Sequence, residues 1–218
     1  MTARPAALPG IVHVVDDDIA FRRAMGRVLT AAGHTPLLYA TADEYLSSGD
    51  ARWPACVLLD LRLRDGNGLE LQTAMASRDD PHPVIFVSGH ADIPSTVEAM
   101  RGGALDFLTK PVPTGVLLQA IDGALRRDVD REARRTRREE VRRLYASLTP
   151  RERQVMAGVV AGRLNKQICY ALNSAERTVK THRARVMEKM QVRSVAELVR
   201  LASELTAAGV ALEPAPGA

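Results

Sequence analysis

Apolar residues in the first half of the chain fall into five short runs: Ile11 to Val15, Thr35 to Tyr39, Ala55 to Leu59, Val84 to Val87 and Ala104 to Leu108. They are often β-branched and have turn residues nearby, which predicts five strands. Between them, Ile19 to Ala32, Ala42 to Leu46, Leu69 to Ala76, Ile93 to Arg101 and the segment from Thr114 onward place apolar residues at helical spacing. Strict alternation of strand and helix predicts an α/β fold: a five-stranded parallel, doubly wound sheet covered on both faces.

The pattern changes at Arg126. From there to Arg143 the chain is Arg and acid with almost no Gly or Pro, while Ile121, Leu125, Val129 and Ala133 keep i, i+4 spacing. This predicts a helix continuing from the one before it. A solvated helical linker is the plain reading, and a coiled-coil contact between two protomers is the sharper one. Arg134, Arg135, Arg137 and Arg138 could reach phosphates, but the acids among them argue against that role. At Thr149-Pro150-Arg151-Glu152 a new helix is announced: Thr can cap, Pro fits the first turn, and Glu holds the reciprocal capping-box position. Four helices, roughly 150 to 161, 165 to 172, 175 to 190 and 194 to 205, follow with very short turns, an all-α arrangement. The expected organisation is a flexible leader (1–10), an α/β domain (11–125), a charged helical linker (126–146), an all-α domain (147–208) and a flexible tail (209–218), loosest from Glu213 to Ala218.

The 218 residues, 46% of them hydrophobic, suffice for two ordinary cores. Charge divides between them: residues 1–125 carry 10 Lys+Arg against 15 Asp+Glu, whereas residues 126–218 carry 20 against 11. An acidic front half repels nucleic acid and a basic back half attracts it, so only the second is a candidate DNA binder. Cys56 and Cys169 match no metal or disulfide spacing and fit core packing in a reducing compartment. No apolar run nears the ~20 residues of a membrane span, and the leader lacks a signal peptide's apolar core. A cytoplasmic protein with no membrane partner is expected.

The candidate chemistry lies at the strand ends. Asp16 and Asp17 close the first run, Asp60 and Ser88 close two more, and Lys110-Pro111 follows the last. In open α/β sheets the carboxyl ends of strands meet in one crevice, so three carboxylates, a hydroxyl and an ammonium converge there. Two unit charges 4 Å apart interact by roughly 4 kcal/mol at intermediate dielectric, a repulsion that a cation relieves. Mg²⁺ suits a few carboxylates plus water and phosphate oxygens, making Asp17 and Asp60 candidate direct ligands and Asp16 a direct or water-mediated one; Mn²⁺ is the alternative ion. An aspartate attacking phosphorus needs the transferring oxygens neutralised, a task for the metal and Lys110. Asp60 is the expected nucleophile. Asp18 reads as a helix cap and His90 as a plain surface loop residue, with an influence on dephosphorylation as the sharper alternative.

Taken together, Val14-Val15-Asp16-Asp17-Asp18, Asp60, Ser88-Gly89-His90 and Asp106-Phe107-Leu108-Thr109-Lys110-Pro111 resemble the receiver domain of two-component response regulators over residues 11 to 127. The resemblance implies a flavodoxin-like fold, Asp60 as phosphoacceptor from a sensor histidine kinase, and the Arg62 backbone carbonyl as a further metal ligand. It also implies that Ser88 bonds the phosphoryl oxygens and moves inward, that Phe107 rotates in behind it, and that Lys110-Pro111 is cis. The chain departs from the family at Leu63-Arg64, where Met-Pro is frequent; the loop is then less constrained and carries added positive charge beside the pocket.

Farther along, Leu148-Thr149-Pro150-Arg151-Glu152-Arg153-Gln154-Val155, Asn165-Lys166-Gln167-Ile168 and Arg177-Thr178-Val179-Lys180-Thr181-His182-Arg183 resemble the LuxR-type helix-turn-helix over about 147 to 205. The whole resembles the FixJ/NarL response regulators, the FixJ type most closely. On a helical wheel Val179, Val186, Met187 and Met190 form the apolar side of the recognition helix. Arg177, Lys180, Thr181, Ala184 and Arg185, with Thr178, are the expected DNA contacts: Lys180 to guanine or phosphate, Thr181 and Ala184 to a thymine methyl, Arg177 and Arg185 to phosphates. Arg183 falls near the buried stripe, so a pair with Glu152 is expected. In the turn, Ser174 and Ala175 stand where an apolar residue and a capping Ser are frequent; Ser174 capping one residue early and a left-handed Asn173 are the expected remedies. Val195, Leu198, Val199 and Leu201 close the core or join a DNA-bound dimer.

The expected function is a phosphorylation-dependent transcriptional regulator rather than an enzyme, with a histidine kinase, promoter DNA, a second copy of itself and RNA polymerase as partners. A phospho-independent DNA binder is disfavoured by the complete acidic set and Lys110. A phosphohydrolase lacks a placed acid/base, and a small-molecule sensor lacks room for a cavity in the first domain.

Overall fold

The computed structural model describes residues 9–49, 53–64, 66–77, 82–89 and 92–216. Two units follow one another along the chain, 1–132 and 133–218. In the first, the elements run β1 (Ile11–Val15), α1 (Ile19–Ala31), β2 (Thr35–Tyr39), α2 (Ala42–Ser48), β3 (Ala55–Leu59), β4 (Arg62–Leu63), β5 (Gly66–Asn67), α3 (Gly68–Ser77), β6 (Val84–Ser88), α4 (Ile93–Arg101), β7 (Asp106–Thr109) and α5 (Thr114–Ala146). Five strands form one sheet in the order β2-β1-β3-β6-β7, every neighbour parallel.

Strand side chains alternate between two cores. Val12, Val14, Leu58 and Ile85 pack with Leu117, Ile121 and Leu125 on one face, while Val15, Val57, Leu59 and Phe86 pack with Tyr45, Leu71 and Met75 on the other. Each fully buried aliphatic or aromatic side chain stabilises by roughly 1.5–3 kcal/mol relative to exposure, which fixes the register that aligns the strand ends. The last strand starts at Asp106 instead of the expected Ala104, because the Ala104 amide closes α4 by bonding to the Ala99 carbonyl at 3.0 Å. The β4–β5 hairpin was not legible in the sequence: strands of two residues carry no periodicity. Asp18 caps α1 as expected, accepting from the Ala20 amide at 2.8 Å.

On α5 the expected apolar stripe stops short. Ile121 and Leu125 are buried, but Val129 is half-buried and Ala133 exposed, while Asp128 has no exposure at all. Its carboxylate accepts from the Ala55 amide at 3.0 Å and from Arg131 Nη2 at 2.7 Å, with His82 Nδ1 at 3.7 Å, and the Trp53 indole donates to its carbonyl at 3.4 Å. A buried charge so bonded ties the helix to the start of β3. Asp128→Ala is expected to destabilise the first unit by about 2 kcal/mol, the worth of a charged hydrogen-bond set, read from urea unfolding followed by the fluorescence of Trp53, the chain's single tryptophan.

The second unit contains the end of α5 and α6 (Pro150–Val160), α7 (Asn165–Ala171), α8 (Glu176–Lys189) and α9 (Val195–Ala207). Thr149 and Glu152 form the expected capping box. Val141 and Tyr145 join Val155, Ile168, Val179, Val186, Met190, Leu198 and Leu205 in one core. Gly158 lets α6 approach α7, since a Cβ there would lie 2.9 Å from Ile168 Cγ1. Residues 210–216 have no regular secondary structure, yet Val210 and Leu212 pack on this core and the Glu213 amide donates to the Tyr145 hydroxyl at 3.4 Å. No helix among the described residues is long and apolar enough to cross a membrane.

Candidate functional site

The parallel ladder brings the acidic residues together. The Asp60 amide donates to the Val15 carbonyl at 2.9 Å, extending the β1–β3 pairing one step beyond the strands and setting Asp60 beside Asp16. A carboxylate oxygen from each of Asp16, Asp17 and Asp60 lies within 4.8 Å of the others. Lys110 reaches in from the end of β7, its Nζ donating to Asp16 Oδ2 at 2.6 Å and Asp60 Oδ2 at 3.0 Å. Lys110-Pro111 is cis, as expected, and the Lys110 amide bonds to the Ser88 carbonyl at 2.9 Å, joining the ends of β6 and β7.

Burial governs the electrostatics. Asp16 is 1% exposed, and loss of water holds its carboxyl above the ordinary carboxylate range despite the Lys110 bond; the Asp60 charge pushes the same way. Burial alone would lower Lys110, but its bonds to Asp16 and Asp60 outweigh that and raise it, so the ammonium persists at neutral pH. Three clustered carboxylates with one ammonium are an incompletely neutralised, all-oxygen donor set of the kind that suits a hard divalent cation such as Mg²⁺. The Arg62 amide donates to Asp60 Oδ1 at 3.4 Å, which keeps Arg62 next to the cluster.

Ser88 is buried at the end of β6. Phe107, one strand over and half-buried, stacks on Phe86 with ring centroids 5.8 Å apart. His90 lies outside the described residues. Three contributors to this pocket, Phe21, Arg22 and Gly68, escaped the sequence reading, while Arg64 brings the expected positive charge beside it. Phe21 on α1 lies under Lys110, Nζ 4.0 Å from its ring centroid; Arg22 donates to the Asp16 carbonyl; Arg64 Nε is 3.5 Å from Asp17 Oδ2. A Cβ on Gly68 would sit 2.2 Å from the Asp60 carbonyl, so only glycine permits α3 to begin there. Phe21 falls one helical step from the cap Asp18 on an apolar position, the only signal that could have found it.

In the second unit Arg177, Thr178, Lys180, Thr181, Ala184 and Arg185 are all exposed on α8, whereas Val179, Val186 and Met190 are buried and Met187 is half-buried. Lys180 Nζ pairs with Glu176 one turn back at 3.2 Å. Two expectations are corrected. Arg183 does not pair with Glu152: its Nη1 donates to Asn165 Oδ1 at 3.0 Å, and the partner of Glu152 is Lys189, Nζ to Oε2 at 2.7 Å. Lys189 lies nearly two turns farther along α8, at the level where α6 begins. Ser174 does not cap α8 either; its hydroxyl accepts from Arg151 and contacts the Leu172 carbonyl, leaving Ala175 at the cap position with no side-chain bond. Asn173 does take the left-handed conformation, with φ 45°.

A parallel α/β unit with an acidic crevice, followed in the chain by helices of which α8 carries an exposed basic face, defines the class of a signal-receiving module joined to a nucleic-acid-binding one. Residues 12–122 match the response regulator receiver domain, and residues 146–202 match the luxR family of bacterial regulatory proteins. Nodulation protein W of Bradyrhizobium diazoefficiens is 42% identical over 92% of this chain and 88% of its own length. The transcriptional regulatory protein FixJ of the same species is 38% identical over 88% of this chain and 94% of its own. Among solved structures, the response regulator StyR superposes with a TM-score of 0.83 at 38% identity, covering 90% of this chain and all (100%) of that one. The chain belongs to the response regulators that join a receiver domain to a luxR-type helix-turn-helix, a family of DNA-binding transcription regulators.

Proposed function

We propose that Asp60 accepts a phosphoryl group from the phosphohistidine of a sensor kinase, and that this acceptance controls how α8 engages promoter DNA. The single observation that carries the reading is the convergence of Asp16, Asp17, Asp60 and Lys110 from the ends of β1, β3 and β7. An Asp60 carboxylate oxygen attacks phosphorus in line as the phosphorus–nitrogen bond breaks, the electron pair staying with the imidazole. Lys110, fixed between Asp16 and Asp60 and resting on Phe21, is placed to meet negative charge on the transferred oxygens. Asp16, Asp17, Asp60 and the Arg62 carbonyl hold Mg²⁺, with Mn²⁺ as substitute; when bound, it supplies positive charge to those oxygens.

The Ser88 hydroxyl donates to the new phosphoryl group, and Phe107 leaves its stack on Phe86 to follow it. The phosphoryl group thereby favours one of two receiver states through a contact that it makes in only one of them. Residues 11–125 act as receiver, 126–146 as helical linker and 147–208 as DNA-binding domain. Arg177, Thr178, Lys180, Thr181, Ala184 and Arg185 face the major groove. The working assembly is a cytoplasmic homodimer on DNA that acts with RNA polymerase.

The test uses the full chain with a duplex selected from random DNA. After acetyl phosphate and Mg²⁺ treatment, affinity should rise at least tenfold together with a shift from monomer to dimer in sizing experiments. Complete phosphorylation that moves neither affinity nor size overturns the coupling.

A further inference from the structure

We propose that Arg64 is a built-in counter-ion for Asp17 that competes with the divalent cation, and so sets the metal concentration at which Asp60 becomes reactive; this rests on the phosphoryl-site reading above. Arg64 follows directly on β4, beside the acidic cluster. The β4–β5 pairing of Arg62 with Asn67 and Leu63 with Gly66, anchored by the buried Leu63, directs the chain so that Arg64 Nε reaches within 3.5 Å of Asp17 Oδ2.

The distribution of burial gives this contact its meaning. Side-chain exposure rises from 1% for Asp16 through 12% for Asp60 to 33% for Asp17, so Asp17 is the outermost ligand, on the side from which a hydrated ion arrives. Lys110 serves Asp16 and Asp60; Arg64 serves the third carboxylate. Each of the three carboxylates therefore has a cation partner before a metal binds, and an incoming divalent ion must displace the guanidinium from Asp17 or bind beside it against like-charge repulsion. The Arg64 side chain is 78% exposed, so it fills no core space and can swing away without disturbing the fold. Exposed ion pairs are individually weak, so the effect is a tuning of about three- to fivefold and not an on–off switch.

Calorimetric titration of MgCl₂ into the full chain tests this, alongside phosphorylation rates from acetyl phosphate across a Mg²⁺ series. Arg64→Gln should lower the Mg²⁺ dissociation constant about three- to fivefold and lower the half-saturating Mg²⁺ for phosphorylation by the same factor. Arg64→Lys, which keeps the charge, should stay near wild type. An unchanged dissociation constant in Arg64→Gln overturns the proposal, as does a changed saturating rate with unchanged metal affinity. If wild type binds Mg²⁺ but takes no phosphoryl group, the reading of Asp60 fails while the calorimetric comparison still decides the role of Arg64. A chain that binds no Mg²⁺ sinks both.

Discussion

Asp60→Asn is expected to abolish phosphorylation by acetyl phosphate in the presence of Mg²⁺, with label falling at least about a hundredfold, the order of loss for removal of a covalent nucleophile. The replacement is nearly isosteric, so the fold should survive; Asp60 sits beyond the end of β3, and its amide bond to Val15 is made by the backbone. Chemically it removes the attacking oxygen. A carboxamide, its nitrogen lone pair delocalised and its oxygen neutral, cannot displace the leaving group, and whichever way it turns its NH₂ meets another donor, the Lys110 ammonium at 3.0 Å or the Arg62 amide at 3.4 Å. Metal binding should weaken as one of three carboxylates loses its charge. A phosphate-affinity gel and intact mass read the outcome together. Label retained at the wild-type stoichiometry would place the acceptor elsewhere, and a variant that loses label but keeps phospho-dependent DNA affinity would detach the switch from the site.

The site was legible because a parallel strand buried on both faces shows itself as an unbroken apolar run, and its end marks where the crevice must be. Asp16, Asp17, Asp60, Ser88 and Lys110 stand at those ends. What was not legible depends on pairings between side chains distant in sequence. Asp128 is invisible as a buried residue because its partners, the Ala55 amide, Arg131 and His82, come from three places. Arg64 reaches Asp17 only because a hairpin too short for any periodic signal turns the chain back. For α8 the wheel sorted the faces correctly but could not give depth along the axis. It therefore chose Arg183 for Glu152, when the ammonium at the right height belongs to Lys189.

That same Glu152 carries the second large effect: Glu152→Ala should destabilise the C-terminal unit by about 2–4 kcal/mol. The side chain is 2% exposed, accepts from the Thr149 amide at 2.9 Å to complete the capping box, and receives Lys189 at 2.7 Å. Loss of a cap costs about 1 kcal/mol and loss of a charged hydrogen bond about 1.5–3 kcal/mol. Lys189 is 35% exposed and regains water, which keeps the total below the 3–5 kcal/mol typical of a fully buried pair. The pH dependence has a definite sign. Burial alone would raise the Glu152 carboxyl, but Lys189 and the bonds to Thr149 outweigh it and hold the group below the ordinary glutamate range. A depressed folded value means that the stabilisation is present in full above the unfolded pKa of about 4.3 and is lost as pH falls through the folded value. Glu152→Gln should therefore flatten the acid limb of stability below about pH 4.5 while costing less than Glu152→Ala at pH 7. Because Trp53 lies in the other unit, the measurement is amide exchange in α6 and α8 of the full chain. Protection unchanged in Glu152→Ala at pH 7, or an acid limb identical in wild type and Glu152→Gln, would show that the Thr149–Glu152–Lys189 contacts do not hold these helices together.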